Sequence, residues 1–139
     1  MLNCEKCNLS KINSKLGFVY DRPLFSFNYM TKNKKFNFEH KDKVLIKKFS
    51  CLLLQKIKEL ENKFTIKQLF VLHNKKVFES LCINKINFSP CGITVSSDTK
   101  IYVFRVTKDY RMICLYSDIA PIFHIIGFDF DFSAYDHGS

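Results

Sequence analysis

Residues 100–138 read KIYVFRVTKDYRMICLYSDIAPIFHIIGFDFDFSAYDHG, and this stretch decides the fold. Ile101 to Val106, Tyr110 to Tyr116 and Pro121 to about Phe132 are rich in β-branched and aromatic residues and are divided by short polar breaks. That pattern predicts three consecutive strands of an antiparallel meander. The stretch also holds two of the three arginines of the chain, Arg105 and Arg111, on either side of Val106–Tyr110. A two-residue turn at Lys108-Asp109 would set Val106 opposite Arg111. A three-residue loop over 107–109 would set Arg105 opposite Arg111. With no glycine in the turn, the sequence leaves both registers open. In the second, two like charges face each other, which is unfavourable unless something negative lies between them. Phosphate suits that place, because a guanidinium offers paired donors to it; Asp109, Asp129 or Asp131 would serve instead as internal partners.

Upstream, the pattern changes to helix. Leu45, Phe49, Leu53 and Ile57 recur at i, i+4, with Leu52 and Leu60 widening the stripe, so a helix is expected over 42–60 with Asp42 as N-cap and Asn62 as a stop. Lys47, Lys48, Lys56 and Lys58 fall off the stripe. Thr65-Ile66-Lys67-Gln68 matches a capping box and opens a second, shorter helix carrying Ile66, Leu69, Phe70 and Leu72. His73 near its end suits the helix dipole. Residues 77–81 fit either a further helical turn or the approach to a strand. Ile83 to Phe88 is a candidate short strand, followed by turn signals at Ser89-Pro90-Cys91-Gly92 and Ser96-Ser97-Asp98.

Before the helices, Phe25, Phe27 and Tyr29 alternate with polar residues, as do Phe36 and Phe38, across the polar break Thr31-Lys32-Asn33-Lys34. This predicts an N-terminal β-hairpin over 23–40 with Lys32, Lys34 and Lys35 at its tip. The expected architecture is α+β: an antiparallel sheet, made of that hairpin and a C-terminal meander of three to four strands, with two helices packed on one face. Residues 1–22 are expected to form an N-terminal extension and 23–139 a single domain. Cys4 and Cys7 form one CxxC without a second pair, short of the four ligands that structural zinc takes.

Charge divides the chain. Residues 1–70 hold 15 Lys and Arg against 6 Asp and Glu, whereas residues 71–139 hold 7 of each, so the net charge of +9 lies in the first half. A basic half suits a polyanion; it also suits a solvated lysine surface. Lys32, Lys34, Lys35, Lys47, Lys48 and Lys108 are the candidate nucleic-acid contacts. The six cysteines fall largely within apolar patterns, which suits reduced thiols. With no apolar leader and no run long enough for a membrane span, a cytoplasmic protein without membrane contact is expected.

Beyond Gly127 the strand pattern puts Phe128, Phe130 and Phe132 on one face and Asp129 and Asp131 on the other. Paired carboxylates can ligate Mg2+, supply a general base through a raised pKa, or simply face water. His124 sits in an apolar strand and is expected to be structural. Tyr135 and His137 follow as candidate proton-transfer groups.

The run Arg105-x4-Tyr110-Arg111-Met112-Ile113, with helices preceding an antiparallel meander, resembles the RelE/ParE-like toxin superfamily. The resemblance covers roughly forty to sixty residues and rests on a short motif. It implies an RNA-binding domain acting as an mRNA endoribonuclease of a toxin–antitoxin module, with RNA or the ribosome as target and a small antitoxin as partner. Arg105 and Arg111 would clamp the phosphate, and Tyr135 and His137 would be the terminal pair. The RNA 2′-OH would attack its own phosphate, with Asp131 or Tyr135 taking its proton and His137 protonating the leaving oxygen. No metal or other cofactor is needed for that chemistry. The sequence departs from the pattern in its acidic final strand and in a hairpin where such toxins commonly have one strand. The competing readings are a non-enzymatic phage- or plasmid-borne inhibitor or protein-binding module, and a metal-dependent nuclease using Asp129, Asp131, Asp136 and His137.

Overall fold

A computed structural model describes residues 21–39, 41–72, 77–117, 119 and 121–136. Residues 1–20 of the expected 1–22 extension, with Cys4 and Cys7, lie outside the described residues, as do His40, His73 and His137. The elements are β1 (Leu24–Ser26), α1 (Lys43–Lys63), α2 (Ile66–Leu72), β2 (Phe78–Cys82), a 3-10 turn (Ile83–Lys85), β3 (Lys100–Arg105), β4 (Arg111–Ser117) and β5 (Ile122–Asp129).

The strands form one sheet in the order β1-β5-β4-β3-β2. β2 to β5 pair antiparallel with their neighbours, as expected of the meander, but β1 runs parallel to β5, with Leu24 opposite Ile122 and Ser26 opposite His124. The architecture is α+β with a mixed sheet. The N-terminal hairpin does not form. After Ser26 the chain turns by local side-chain bonds: Thr31 Oγ1 accepts from the Asn33 amide at 3.1 Å, and Asn33 Oδ1 from the Lys35 amide at 3.1 Å. Such bonds compete with a strand ladder. The segment then lies along the edge of β5, where the Thr31 amide donates to Ile126 O at 2.8 Å and the Phe128 amide to Phe36 O at 2.8 Å. An edge that would otherwise offer free backbone groups is thereby covered.

α1 starts where Asp42 accepts a hydrogen bond from the Val44 amide at 3.3 Å and ends one residue beyond Asn62. The capping box closes as its sequence predicts: Gln68 Oε1 accepts from the Thr65 amide at 2.9 Å and Thr65 Oγ1 from the Gln68 amide at 3.1 Å. Phe49, Leu53 and Leu60 of α1 and Leu69 of α2 pack on Phe78, Phe104, Met112, Phe123, Ile125 and Phe128, so both helices cover one face. The opposite face carries Ile101, Val103, Ile113, Leu115 and Ile126 and is covered by loops through Phe36, Ile86, Phe88, Ala134 and Tyr135. The strand expected at 83–88 is instead β2 at 78–82 followed by the 3-10 turn.

A bulge in β5 sets the phase of its last residues. Ile113 faces Gly127 and Cys114 faces Ile125, leaving Ile126 as the extra residue. Phe123 and Ile125 face the helices before it, and Phe128 faces them after it. Gly127 is needed there, because a Cβ would meet Phe88 Cζ at 2.5 Å, and that ring is held by stacking on Phe36.

Candidate functional site

The hairpin between β3 and β4 takes the three-residue loop. Arg105 pairs with Arg111, and the Val106 amide donates to Tyr110 O at 3.0 Å. Arg111 in turn pairs with Asp129 on β5, so a carboxylate lies across the sheet from it on the side away from Arg105. Alternation puts Arg105, Arg111 and Asp129 on the loop-covered face, with Val103 and Ile113.

The two arginines differ in environment. Arg105 is exposed. Arg111 is only 7% exposed. Its Nη1 donates to the carbonyls of Thr107 at 2.9 Å, Lys108 at 3.1 Å and Tyr110 at 3.1 Å. The guanidinium thus closes the hairpin loop from beneath, and its Cζ lies 5.2 Å from the centroid of the Phe132 ring. This nitrogen is engaged with main-chain oxygens, which sequence patterns do not reveal.

β5 ends at Asp129, so Asp129 and Asp131 do not share a strand face. Asp129 is fully buried, and its carboxylate organises the next turn. Oδ1 accepts from the amides of Asp131 at 3.3 Å and Ser133 at 3.0 Å, and Oδ2 from Ala134 at 3.2 Å. Asp131 is exposed and accepts a hydrogen bond from the Ser133 hydroxyl. That bond, with the nearby charges of Lys35 and Lys41, holds its carboxyl below the usual carboxylate range, the reverse of the shift that would suit a general base. Tyr135 is buried, and its hydroxyl donates to Glu79 on β2. Burial first, then the bond to Glu79 and the negative charge of that carboxylate, push the phenol above its ordinary value, so it stays protonated at neutral pH.

Cations gather at this end of the sheet. Lys41 Nζ lies 5.0 Å from the Phe130 ring centroid and donates to Lys35 O at 2.9 Å. Phe49 touches both Tyr110 at 5.4 Å and Phe130 at 5.0 Å, which brings the first half of α1, with exposed Lys47 and Lys48, to the same end. Lys108 is exposed in the hairpin loop, and Lys32, Lys34 and Lys35 are exposed on the segment along β5. Lys41 and Phe132 were not among the sequence candidates. Lys41 stands in the polar lead-in to α1, and Phe132 occurs within an alternating strand pattern. Among the described residues no group of three or more His, Cys, Asp or Glu is arranged to hold a metal ion. Among them, too, no helix is long and apolar enough to cross a membrane.

His124 is half-buried with its ring 4.9 Å from that of Tyr29, and among the described residues its Nδ1 has no hydrogen-bond partner. Burial lowers its pKa. A His whose folded pKa lies below its unfolded value binds fewer protons when folded, so stability is complete at neutral pH and declines as pH falls below about 6.5. Urea midpoints measured between about pH 7 and pH 5 should fall more for the wild type than for His124→Gln; equal slopes would show that this imidazole does not contribute.

Comparison of the chain with family models, with curated proteins and with solved structures returns no match.

Proposed function

We propose that this chain is a cytoplasmic RNA-binding domain whose contact surface is the end of the sheet bearing Arg105, Lys108, Lys35 and Lys41, with Lys47 and Lys48 at its margin. The observation that carries this reading is the set of cations at this end of the sheet, with Lys41 over Phe130, Arg111 over Phe132, Arg105 opposite Arg111, and Lys35 and Lys41 near Asp131. A phosphate backbone is held chiefly by such charges, and its binding weakens steeply with salt. A labelled single-stranded oligoribonucleotide should bind at low salt and dissociate as salt rises. Absence of binding at low salt would overturn the reading.

A second reading, endoribonuclease activity of the RelE/ParE-like kind with a small antitoxin as partner, is favoured by one specific observation. A single strand precedes the two helices, an antiparallel meander follows them, and Arg105 stands opposite Arg111 in a three-residue hairpin. That matches the element order and the paired arginines that the resemblance implies. In this reading Arg105 holds the phosphate, Arg111 keeps the loop in shape beside it, and His137 serves as the acid. The environments of Arg111 and Tyr135 weigh toward binding over cleavage.

Asp131→Asn separates the two. Removing a negative charge from a phosphate-binding surface should tighten RNA binding by roughly two- to fivefold at low salt. If Asp131 also acts as the base, the same variant should bind RNA and fail to cleave it. Induction of the wild type, Arg111→Ala and His137→Gln in bacteria gives the parallel test in cells: equal growth of all three rules out a toxin.

A further inference from the structure

Phe132 is placed as no core residue would be. Its φ is 60°, in the left-handed region that a bulky L-residue rarely enters, and the residue is 44% exposed. Neither feature serves burial. The Asp129 carboxylate accepts hydrogen bonds from the amides of Asp131, Ser133 and Ala134 and so holds the backbone on either side of Phe132. Strain held in place by surrounding structure is a mark of a functional position. The ring stands over the Arg111 guanidinium, with Lys41 over the neighbouring Phe130 and Arg105 exposed across from Arg111.

We propose that the exposed ring of Phe132 is a stacking platform for an unpaired base of single-stranded RNA, with Arg105, Lys35 and Lys41 contacting the flanking phosphates. This deepens, and rests on, the RNA-binding reading. An aromatic ring among cations is the arrangement that single-stranded nucleic acid uses, since every base has a π-face and every nucleotide a phosphate. A duplex hides those base faces and offers only backbone. A protein partner docking on Phe132 would call for apolar surroundings, whereas the ring lies over the Arg111 guanidinium and next in sequence to Asp131, whose carboxylate has Ser133, Lys35 and Lys41 near it.

The test is fluorescence anisotropy with a labelled single-stranded oligoribonucleotide, the same strand made abasic, and the corresponding duplex. The proteins are the wild type, Phe132→Asn and Phe132→Trp. Asn accepts a left-handed backbone, so this variant should melt no lower than the wild type while lacking the ring. It should bind the intact single strand roughly tenfold or more weakly. Trp should bind at least as well as Phe. The abasic strand should bind the wild type and Phe132→Asn equally. If the wild type binds the strand and Phe132→Asn binds it as tightly, or if the duplex binds best, the platform is wrong and the RNA-binding reading stands. If the wild type binds no strand, both fall.

Discussion

Asp129→Ala should lower the free energy of unfolding by about 3–5 kcal/mol, from the loss of hydrogen bonds to a charged acceptor inside the protein. Asp129 is fully buried and accepts from three backbone amides, those of Asp131, Ser133 and Ala134. Alanine leaves those amides without this acceptor at a place that bends the chain back over the sheet. It also removes the carboxylate opposite Arg111, which is itself nearly buried. Asp129→Asn should fall between the two. Its amide keeps one acceptor oxygen, but its nitrogen would face an N–H where Oδ2 now accepts. Urea unfolding of the three proteins measures this directly. Equal midpoints for wild type and Asp129→Ala would mean that water or another group replaces the carboxylate at no loss. The same substitution releases the turn that carries Phe132, so RNA affinity should drop along with stability if that ring is the platform.

Asp129 also shows where a sequence stops being informative. Its alternation with Phe128 and Phe130 predicts a strand face shared with Asp131, but the strand ends at Asp129 itself. The partners that end it are backbone amides, which no residue letter announces. Arg111 is the same case, since its Nη1 donates to main-chain carbonyls of the hairpin loop. What was legible rests on period and local chemistry. The apolar stripe of α1, the Thr65–Gln68 box, and β3, β4 and the body of β5 all follow from side chains close in sequence. The Arg105–Arg111 pairing was one of two registers, settled only by the loop length the chain adopts.

The absent hairpin has a different cause. Strand alternation would set Phe36 and Phe38 on one face, but they lie on opposite faces of the sheet, Phe38 packing with Phe49 and Phe128 and Phe36 stacking on Phe88. Neither the alternation nor the ladder it implies is kept in the fold. The segment bonds to β5, roughly a hundred residues later, and periodicity carries no record of so distant a partner. The short β2, FESLC, lacks any clear alternation and was open to either reading for the same reason.

Phe49→Ala should have an effect of the same order, about 3–5 kcal/mol, for a different physical reason. The side chain is fully buried and meets four rings, with centroids at 5.8 Å for Phe38, 5.4 Å for Tyr110 and 5.0 Å for both Phe128 and Phe130. Three of these contacts are edge-on or nearly so, the arrangement in which aromatic pairs add to simple burial. The four rings come from the segment along β5, from the hairpin loop and from the end of β5, so Phe49 joins α1 to these three segments. Truncation leaves a cavity that these rings cannot all close, because each is held by its own backbone. Phe49→Leu fills part of the space and should lose about half as much, the remainder being cavity and ring-edge contact. In urea, both variants should shift the midpoint with little change in slope. For a domain whose whole stability is of the order of 5–15 kcal/mol, the alanine variant loses a third or more of it at the upper estimate. A shift under 1 kcal/mol would mean that the helix slides to fill the gap, and then Lys47 and Lys48 would move with it and RNA affinity would change although the fold survives. Measuring affinity alongside stability therefore distinguishes a rigid helix–sheet joint from one that adapts.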